Sequence, residues 1–205
     1  MYLFLDFFFI FLGSVFMKNN DKLYRNIRRC MNIIMMVLSF AMILYFIKTN
    51  KYNRIYTAIL IYPVLYLPEL LDNTKYFIDY KYKMIYCLFI FMADFLGCIV
   101  NLYKYISWYD LFIHFVSGIM SFVLGYLILE KSKLKLSGMV KFFYLVGFVA
   151  FVALCWEIIE FTGDQVFGLN LQHNMETGVL DTMSDMIMGF MGGICSYIFI
   201  SKRKS

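Results

Sequence analysis

The stretch Asp181–Gly192, DTMSDMIMGFMG, places two carboxylates at the start of an apolar run that extends over residues 181–200. Comparable apolar runs lie near residues 2–17, 30–47, 55–71, 84–103, 110–129 and 140–163. Most of them can cross a hydrocarbon layer of about 30 Å, because a helix rises about 1.5 Å per residue. The pattern predicts an all-α fold: a polytopic transmembrane helix bundle with about seven spans, or six if residues 2–17 do not span.

The composition supports an integral membrane protein. The chain has 205 residues, of which 62% are hydrophobic and 16% charged, and its mean hydropathy is +0.70. A soluble domain carries roughly 25% charged residues. We therefore expect one integral membrane domain over residues 1–205, with the lipid bilayer as its partner. The net charge of +5 comes from short connectors, so no nucleic-acid partner is predicted, and the oligomeric state stays open.

The distribution of lysine and arginine predicts the orientation. Fifteen of these residues lie in connectors 18–29, 72–83 and 130–141 and in the tail 201–205, against four in connectors 48–54, 104–109 and 164–180. Positive charge favours the cytoplasmic side, so the N-terminus is expected outside and the C-terminus inside a bacterial cell membrane. In a signal peptide, positive charges precede the apolar run, whereas here they follow it. This order favours a retained helix over residues 2–17. An interfacial helix is the alternative.

Ionisable groups cluster at the ends of three apolar runs. Asp110 and His114 open one run at i,i+4 spacing, Asp181 and Asp185 open another at the same spacing, and Glu157, Glu160 and Asp164 close a third. The predicted orientation brings all seven groups to the outer leaflet. Each set shares a helix face with small residues that let helices approach closely, which include Gly118, Gly125, Gly147, Gly189 and Gly192. We therefore expect one shared polar site.

Crowded carboxylates in a medium of low dielectric constant hold protons, pair with a base or bind a cation. The candidate bases are His114, His173 and Lys104. Oxygen ligands suit Mg²⁺, Ca²⁺ or Mn²⁺, and an added imidazole admits Zn²⁺ or Fe²⁺, so a divalent metal ion is the cofactor to test. The predicted ligands or proton carriers are Asp110, His114, Glu157, Glu160, Asp181 and Asp185.

Structural interpretations compete with this site. Ser107-x-x-Asp110 and Thr182-x-x-Asp185 both fit helix-capping boxes. The alternatives are interfacial exposure for Glu157, Glu160 and Asp164, packing for His114 and solvation for His173. Asp94, in the middle of the fourth run, could join the site, relay a proton or bond a neighbouring helix.

Three functional hypotheses follow. The first is a membrane protein that binds, and in one version moves, a cation or proton. The second is a metal-assisted membrane enzyme acting on lipid or envelope precursors, with His114 or Glu160 as general base. The third is a non-catalytic envelope or resistance factor. The sequence does not decide whether the protein is an enzyme.

Three ordered motifs within residues 105–195 carry a resemblance. They are Asp110-x-x-x-His114-Phe-x-x-Gly (DLFIHFVSG), Trp156-Glu157-x-x-Glu160 (WEIIE) and Thr177-Gly-x-x-Asp181-Thr-x-x-Asp185 (TGVLDTMSD). The chain resembles the YjdF-like family of uncharacterised bacterial inner-membrane proteins and, more distantly, VanZ-like membrane proteins. The first resemblance implies a multi-span bacterial membrane protein and no particular substrate. The second would imply an envelope or glycopeptide-resistance context.

Overall fold

The computed structural model describes residues 20–168, 171 and 178–204. This part of the chain is 86% helical and contains no strand, which confirms the predicted all-α class. The predicted span over residues 2–17 and the candidate base His173 lie outside the described residues. Two compact units are present, one ending at Ile106 and the other covering Ser107–Ser205. The expectation of one domain over residues 1–205 stays a prediction.

Three helices form the core of the first unit. Helix α1 (Asp21–Lys48) begins well before the predicted residue 30, and the side chain of Asn20 caps it by accepting a hydrogen bond from the Leu23 N–H. Helices α2 (Ile55–Leu65) and α3 (Tyr80–Ile90) pack against α1. Their shared apolar core includes Met35, Phe46, Ile61, Leu65 and Ile99.

The predicted span over residues 55–71 is divided. Helix α2 contains Pro63 near its end, and a separate 3₁₀ segment covers Leu67–Leu71 with Pro68 in its first turn. Proline lacks an N–H group and disfavours helical geometry at the residue before it, so two prolines in one short run explain the break.

A π-helix, Phe91–Ile99, continues directly from α3. Asn101 ends the predicted fourth span early, because its φ of 77° lies in the left-handed region, and a short helix α4 (Leu102–Tyr105) follows. The Arg54 guanidinium donates hydrogen bonds to the carbonyls of Cys98 (2.6 Å) and Ile99 (3.2 Å). Arg54 therefore provides hydrogen bonds for carbonyl groups that have no partner within this helix end. This contact gives a structural reason for a positive charge in connector 48–54, which is predicted to lie on the outer side.

Two ion pairs lie at one end of the first unit. Arg28 pairs with Glu69, and Lys83 pairs with Asp72. The Lys83 side chain is fully buried and that of Arg28 is 92% buried. Charges withdrawn from water need a partner, so these pairs join α1 and α3 to the segment between α2 and α3.

The second unit consists of α5 (Tyr109–Ser132), α6 (Gly138–Phe167) and α7 (Gly178–Lys204). Helices α5 and α7 run parallel, since Gly118 meets Gly189 at one level and Phe122 meets Tyr197 further along both helices. Helix α6 runs antiparallel to them, and its Phe148 packs on Gly125 of α5.

The described residues contain five helices long and apolar enough to cross a membrane: Asp21–Lys48, Tyr80–Ile99, Tyr109–Ser132, Gly138–Val166 and Gly178–Lys202. The apolar segment Ile55–Leu71 is shorter. These helices match the predicted spans from residue 30 onward, while their orientation across the bilayer stays a prediction.

Candidate metal or proton site

His114 lies at the centre of the buried polar groups of the second unit. Its Nε2 atom is 3.6 Å from Asp110 Oδ1 on the same helix and 3.8 Å from Asp185 Oδ2 on α7. The exposed fractions of the three side chains are 11% for His114, 21% for Asp110 and 3% for Asp185. One ligand atom from each of the three residues lies within 4.8 Å of the others, so the three side chains form a candidate site for one metal ion.

Glu157 occupies the opposite side of the imidazole. Its Oε1 atom is 4.0 Å from His114 Nδ1, and its side chain is 5% exposed. Neither Glu157 oxygen has a hydrogen-bond partner of normal geometry among the described residues, although the Thr182 hydroxyl lies near it. Oδ1 of Asp185 is likewise buried without such a partner in this part of the chain. Buried polar atoms without partners are uncommon and point to a bound proton, water or ion.

Close backbone contact between α5 and α7 sets the position of these groups. A Cβ atom on Gly118 would lie 1.8 Å from the Gly189 carbonyl oxygen, and one on Gly192 would lie 2.1 Å from the Phe115 carbonyl oxygen. Gly118 is one helical turn beyond His114, and Gly189 is one turn beyond Asp185. The glycine contact therefore brings His114 and Asp185 to the same level on facing helices. Gly147 of α6 does not make the close helix contact that the sequence predicted for it, since a Cβ there would meet nothing within 4 Å.

The remaining predicted ligands surround this group. Glu160 is half-buried and accepts a hydrogen bond of 2.6 Å from the Trp156 indole. It is close enough to interact electrostatically with Glu157, Asp110 and Asp185. Asp181, also half-buried, interacts electrostatically with Asp110, Glu157 and Asp185. All six predicted residues thus lie at one end of the second unit, and their role as metal ligands stays a prediction.

Asp164 has a different environment. Its side chain is buried and accepts a hydrogen bond from the Leu171 N–H, while its carbonyl accepts one of 3.0 Å from Gly168 at the end of α6. These bonds hold the chain as it leaves the helix, so Asp164 has a structural contact that the interfacial interpretation did not include.

The capping alternatives receive no support from the helix boundaries. Trp108 occupies the N-cap of α5, which has no side-chain capping bond. Helix α7 begins at Gly178, which places Asp185 about two turns inside it rather than at its third position. The two predicted capping boxes therefore do not match the observed helix starts, whereas Asp110 does lie in the first turn of α5, where a carboxylate favours the helix dipole.

Sequence reasoning missed the contributions of Trp156 and Thr182. Trp156 precedes Glu160 by four residues, and this helical spacing was the available signal for their hydrogen bond. The position of Thr182 near Glu157 had no local signal, because the two residues lie on different helices.

The apolar helices and the buried polar site define a multi-pass helical membrane protein. The chain belongs to the family described as "Predicted membrane protein (DUF2238)", whose model matches residues 30–205. This is the YjdF family, in agreement with the resemblance carried by the three motifs, whereas the VanZ comparison is unconfirmed.

One similar protein comes from Thermotoga maritima and is named "Uncharacterized protein". It is 27% identical over 186 residues, and the alignment covers 77% of this chain and 93% of the relative. No solved structure matches the chain.

Proposed function

We propose that this protein binds a divalent metal ion through Asp110, His114 and Asp185, in the membrane of a bacterial cell. The observation that carries the proposal is the convergence of three ligand atoms within 4.8 Å, from side chains that lie on two helices and are largely buried. Nearby Glu157 adds a further carboxylate, so the ionised group would carry excess negative charge that a cation would offset.

The spacing of the ligand atoms favours a metal with compact coordination. Ligand atoms about 2.1 Å from a tetrahedral metal stand about 3.4 Å from one another. The 3.6 and 3.8 Å separations between His114 Nε2 and the two aspartate oxygens are close to this value. One imidazole with two carboxylates suits Zn²⁺, Mn²⁺ or Fe²⁺ better than it suits Ca²⁺ or Mg²⁺, because the latter two ions prefer oxygen ligands alone. Three protein ligands would leave a coordination position open to water or substrate.

Glu157 has a separate role in this proposal. With Nε2 directed at the metal, the Nδ1–H group of His114 faces the Glu157 carboxylate. The present 4.0 Å is longer than a hydrogen bond, and shortening it by about 1 Å would let the carboxylate hold the imidazole in the tautomer and orientation that a metal ligand needs. Loss of such a partner typically costs about 10- to 100-fold in metal affinity. Glu157 would then be a positioning residue, and the Thr182 hydroxyl near it would help to hold it.

Elemental analysis of the full-length protein purified in detergent tests the proposal. After equilibration with Zn²⁺ or Mn²⁺, we expect one metal ion per chain in the wild type and loss of stoichiometric metal in D110N/D185N. D181N is the matched control for D185N alone, since each variant removes one carboxylate from α7, one turn apart. D185N should lose stoichiometric metal and D181N should keep it. E157Q should weaken affinity yet reach full occupancy at saturating metal.

Two results would contradict the proposal. Equal metal content in the wild type and D110N/D185N would exclude these ligands, provided that both proteins elute as one species with the same helical content. Loss of metal in D181N alone would move the site to the start of α7.

Proton carriage is the alternative that the same buried carboxylates support. Buried oxygens of Glu157 and Asp185 make no hydrogen bond of normal geometry among the described residues, and they can hold a proton as readily as they can face a cation. The test measures the protons that the purified protein releases after a pH jump. A smaller release from D185N than from the wild type, unchanged by a chelator, would favour proton carriage over metal binding. Movement of either ion, catalysis on envelope precursors and a resistance role stay hypotheses from the sequence.

A further inference from the structure

The second unit has a cationic pocket at the end opposite the polar site. It lies where α5 ends and α6 begins, and it is a partly open cleft of about 450 Å³, a volume within the range of small-ligand sites. Its lining residues are Leu129, Glu130, Lys133, Leu134, Lys135, Leu136 and Lys141. Three lysines therefore face one glutamate, with leucines between them. The pocket is a candidate site for an anion that also carries apolar groups.

The position along the helix places this pocket at a membrane surface. Asp110 and Lys133 are separated by 23 residues of α5, which correspond to about 34 Å of helix. That length matches the hydrocarbon thickness of about 30 Å, so a bilayer that has the polar site near one surface has the pocket near the other. The lysine and arginine distribution predicts that the pocket surface is the cytoplasmic one.

The side chains combine features that suit a lipid headgroup. Lys141 lines the pocket, and its ammonium lies 4.9 Å from the centre of the Tyr126 ring. Lys133 adopts a left-handed backbone conformation with φ of 59° that ends α5 and turns the chain into the pocket wall. Beside the pocket, exposed apolar side chains at the start of α6 and in the preceding connector offer a surface for an acyl chain: Leu134, Met139, Val140 and Phe143.

We propose that this pocket binds the phosphodiester headgroup of an anionic glycerophospholipid, with Lys133, Lys135 and Lys141 as its cationic contacts. The leucines would contact the glycerol and the first acyl carbons, while the lysine stems lie along apolar surface with their ammonium groups at headgroup level. A zwitterionic lipid would gain less from three lysines, because its own cationic group opposes them. A lysine near an anionic membrane surface strengthens binding about fivefold, so three independent lysines give about 100-fold.

Native mass spectrometry of the full-length protein tests the proposal, with phosphatidylglycerol or phosphatidylcholine titrated into the detergent micelles. We expect the wild type to retain phosphatidylglycerol preferentially and K133Q/K135Q/K141Q to lose at least tenfold in retention. The K22Q/R29Q/K75Q control removes the same charge from exposed sites on the same predicted membrane side and should change retention less than twofold. The arginine variant K133R/K135R/K141R should keep retention, which separates the charge from the fold.

Three results would overturn the proposal. The first is unchanged phosphatidylglycerol retention in the glutamine variant. The second is equal retention of phosphatidylcholine by the wild type. The third is displacement of the lipid by millimolar glycerol phosphate, which would mean that the pocket recognises a soluble phosphate instead of a membrane lipid. The metal site lies at the other end of the unit, so none of these results depends on metal content.

Discussion

Gly118→Ala should separate α5 from α7 and disable the polar site without touching a predicted ligand. The added Cβ would lie 1.8 Å from the Gly189 carbonyl oxygen, while ordinary van der Waals contact begins near 3.4 Å. The two backbones must therefore move apart by about 1.6 Å, the difference between these two distances. Overpacking of this kind costs about 1–3 kcal/mol.

The same movement acts on the site one turn away. A shift of about 1.6 Å along the line from His114 Nε2 to Asp185 Oδ2 lengthens their 3.8 Å separation to about 5.4 Å. Two ligand atoms at about 2.1 Å from one metal are at most about 4.2 Å apart, so one ion could no longer contact both. We expect the metal affinity of G118A to be more than about 100-fold lower than that of the wild type, in line with the cost of misplacing functional groups by about 1 Å.

Gly147→Ala is the matched control, because it makes the same change in α6 where a Cβ meets nothing within 4 Å. It should keep the metal and leave the melting temperature unchanged or slightly higher, since alanine favours a helix over glycine by about 1 kcal/mol. Both variants would be measured by elemental analysis and by thermal unfolding in detergent. Wild-type metal content and melting temperature in G118A would refute the reasoning that the glycine contact positions the site.

Two further predictions concern the first unit and the orientation of the chain. R28M should destabilise the protein by about 3–5 kcal/mol, because it leaves the Glu69 carboxylate partly buried without its cation, and R28M/E69L should recover much of that loss. Thermal unfolding of both variants checks this, and a double variant as unstable as R28M would contradict it. A fluorescent protein fused after Ser205 should fluoresce in intact bacteria, and an alkaline phosphatase fused there should be inactive, because the charge distribution predicts a cytoplasmic C-terminus. The reverse pair of results would invert the orientation and move the polar site to the cytoplasmic side.

Much of the candidate site could be read from local spacing. Asp110 with His114, and Asp181 with Asp185, share a helix face at i,i+4, and that relation holds in any helix whatever its neighbours. The helical class follows equally locally, because backbone groups in a bilayer must pair within each apolar segment. The proline break after Pro63 had a local signal too, but hydropathy alone joined residues 55–71 into one span.

The sequence by itself determined that this chain forms apolar helices with acidic groups at the ends of three of them. Only the tertiary structure decided which groups meet. Oxygens of Asp110 and Asp185 lie near one nitrogen of His114, Glu157 lies near the other, and Asp164 turns to the backbone at Leu171. The physical reason is that periodicity sets a face within one helix, whereas the relative depth of two helices depends on their mutual packing. Here a glycine contact between α5 and α7, with no room for a Cβ, sets that depth.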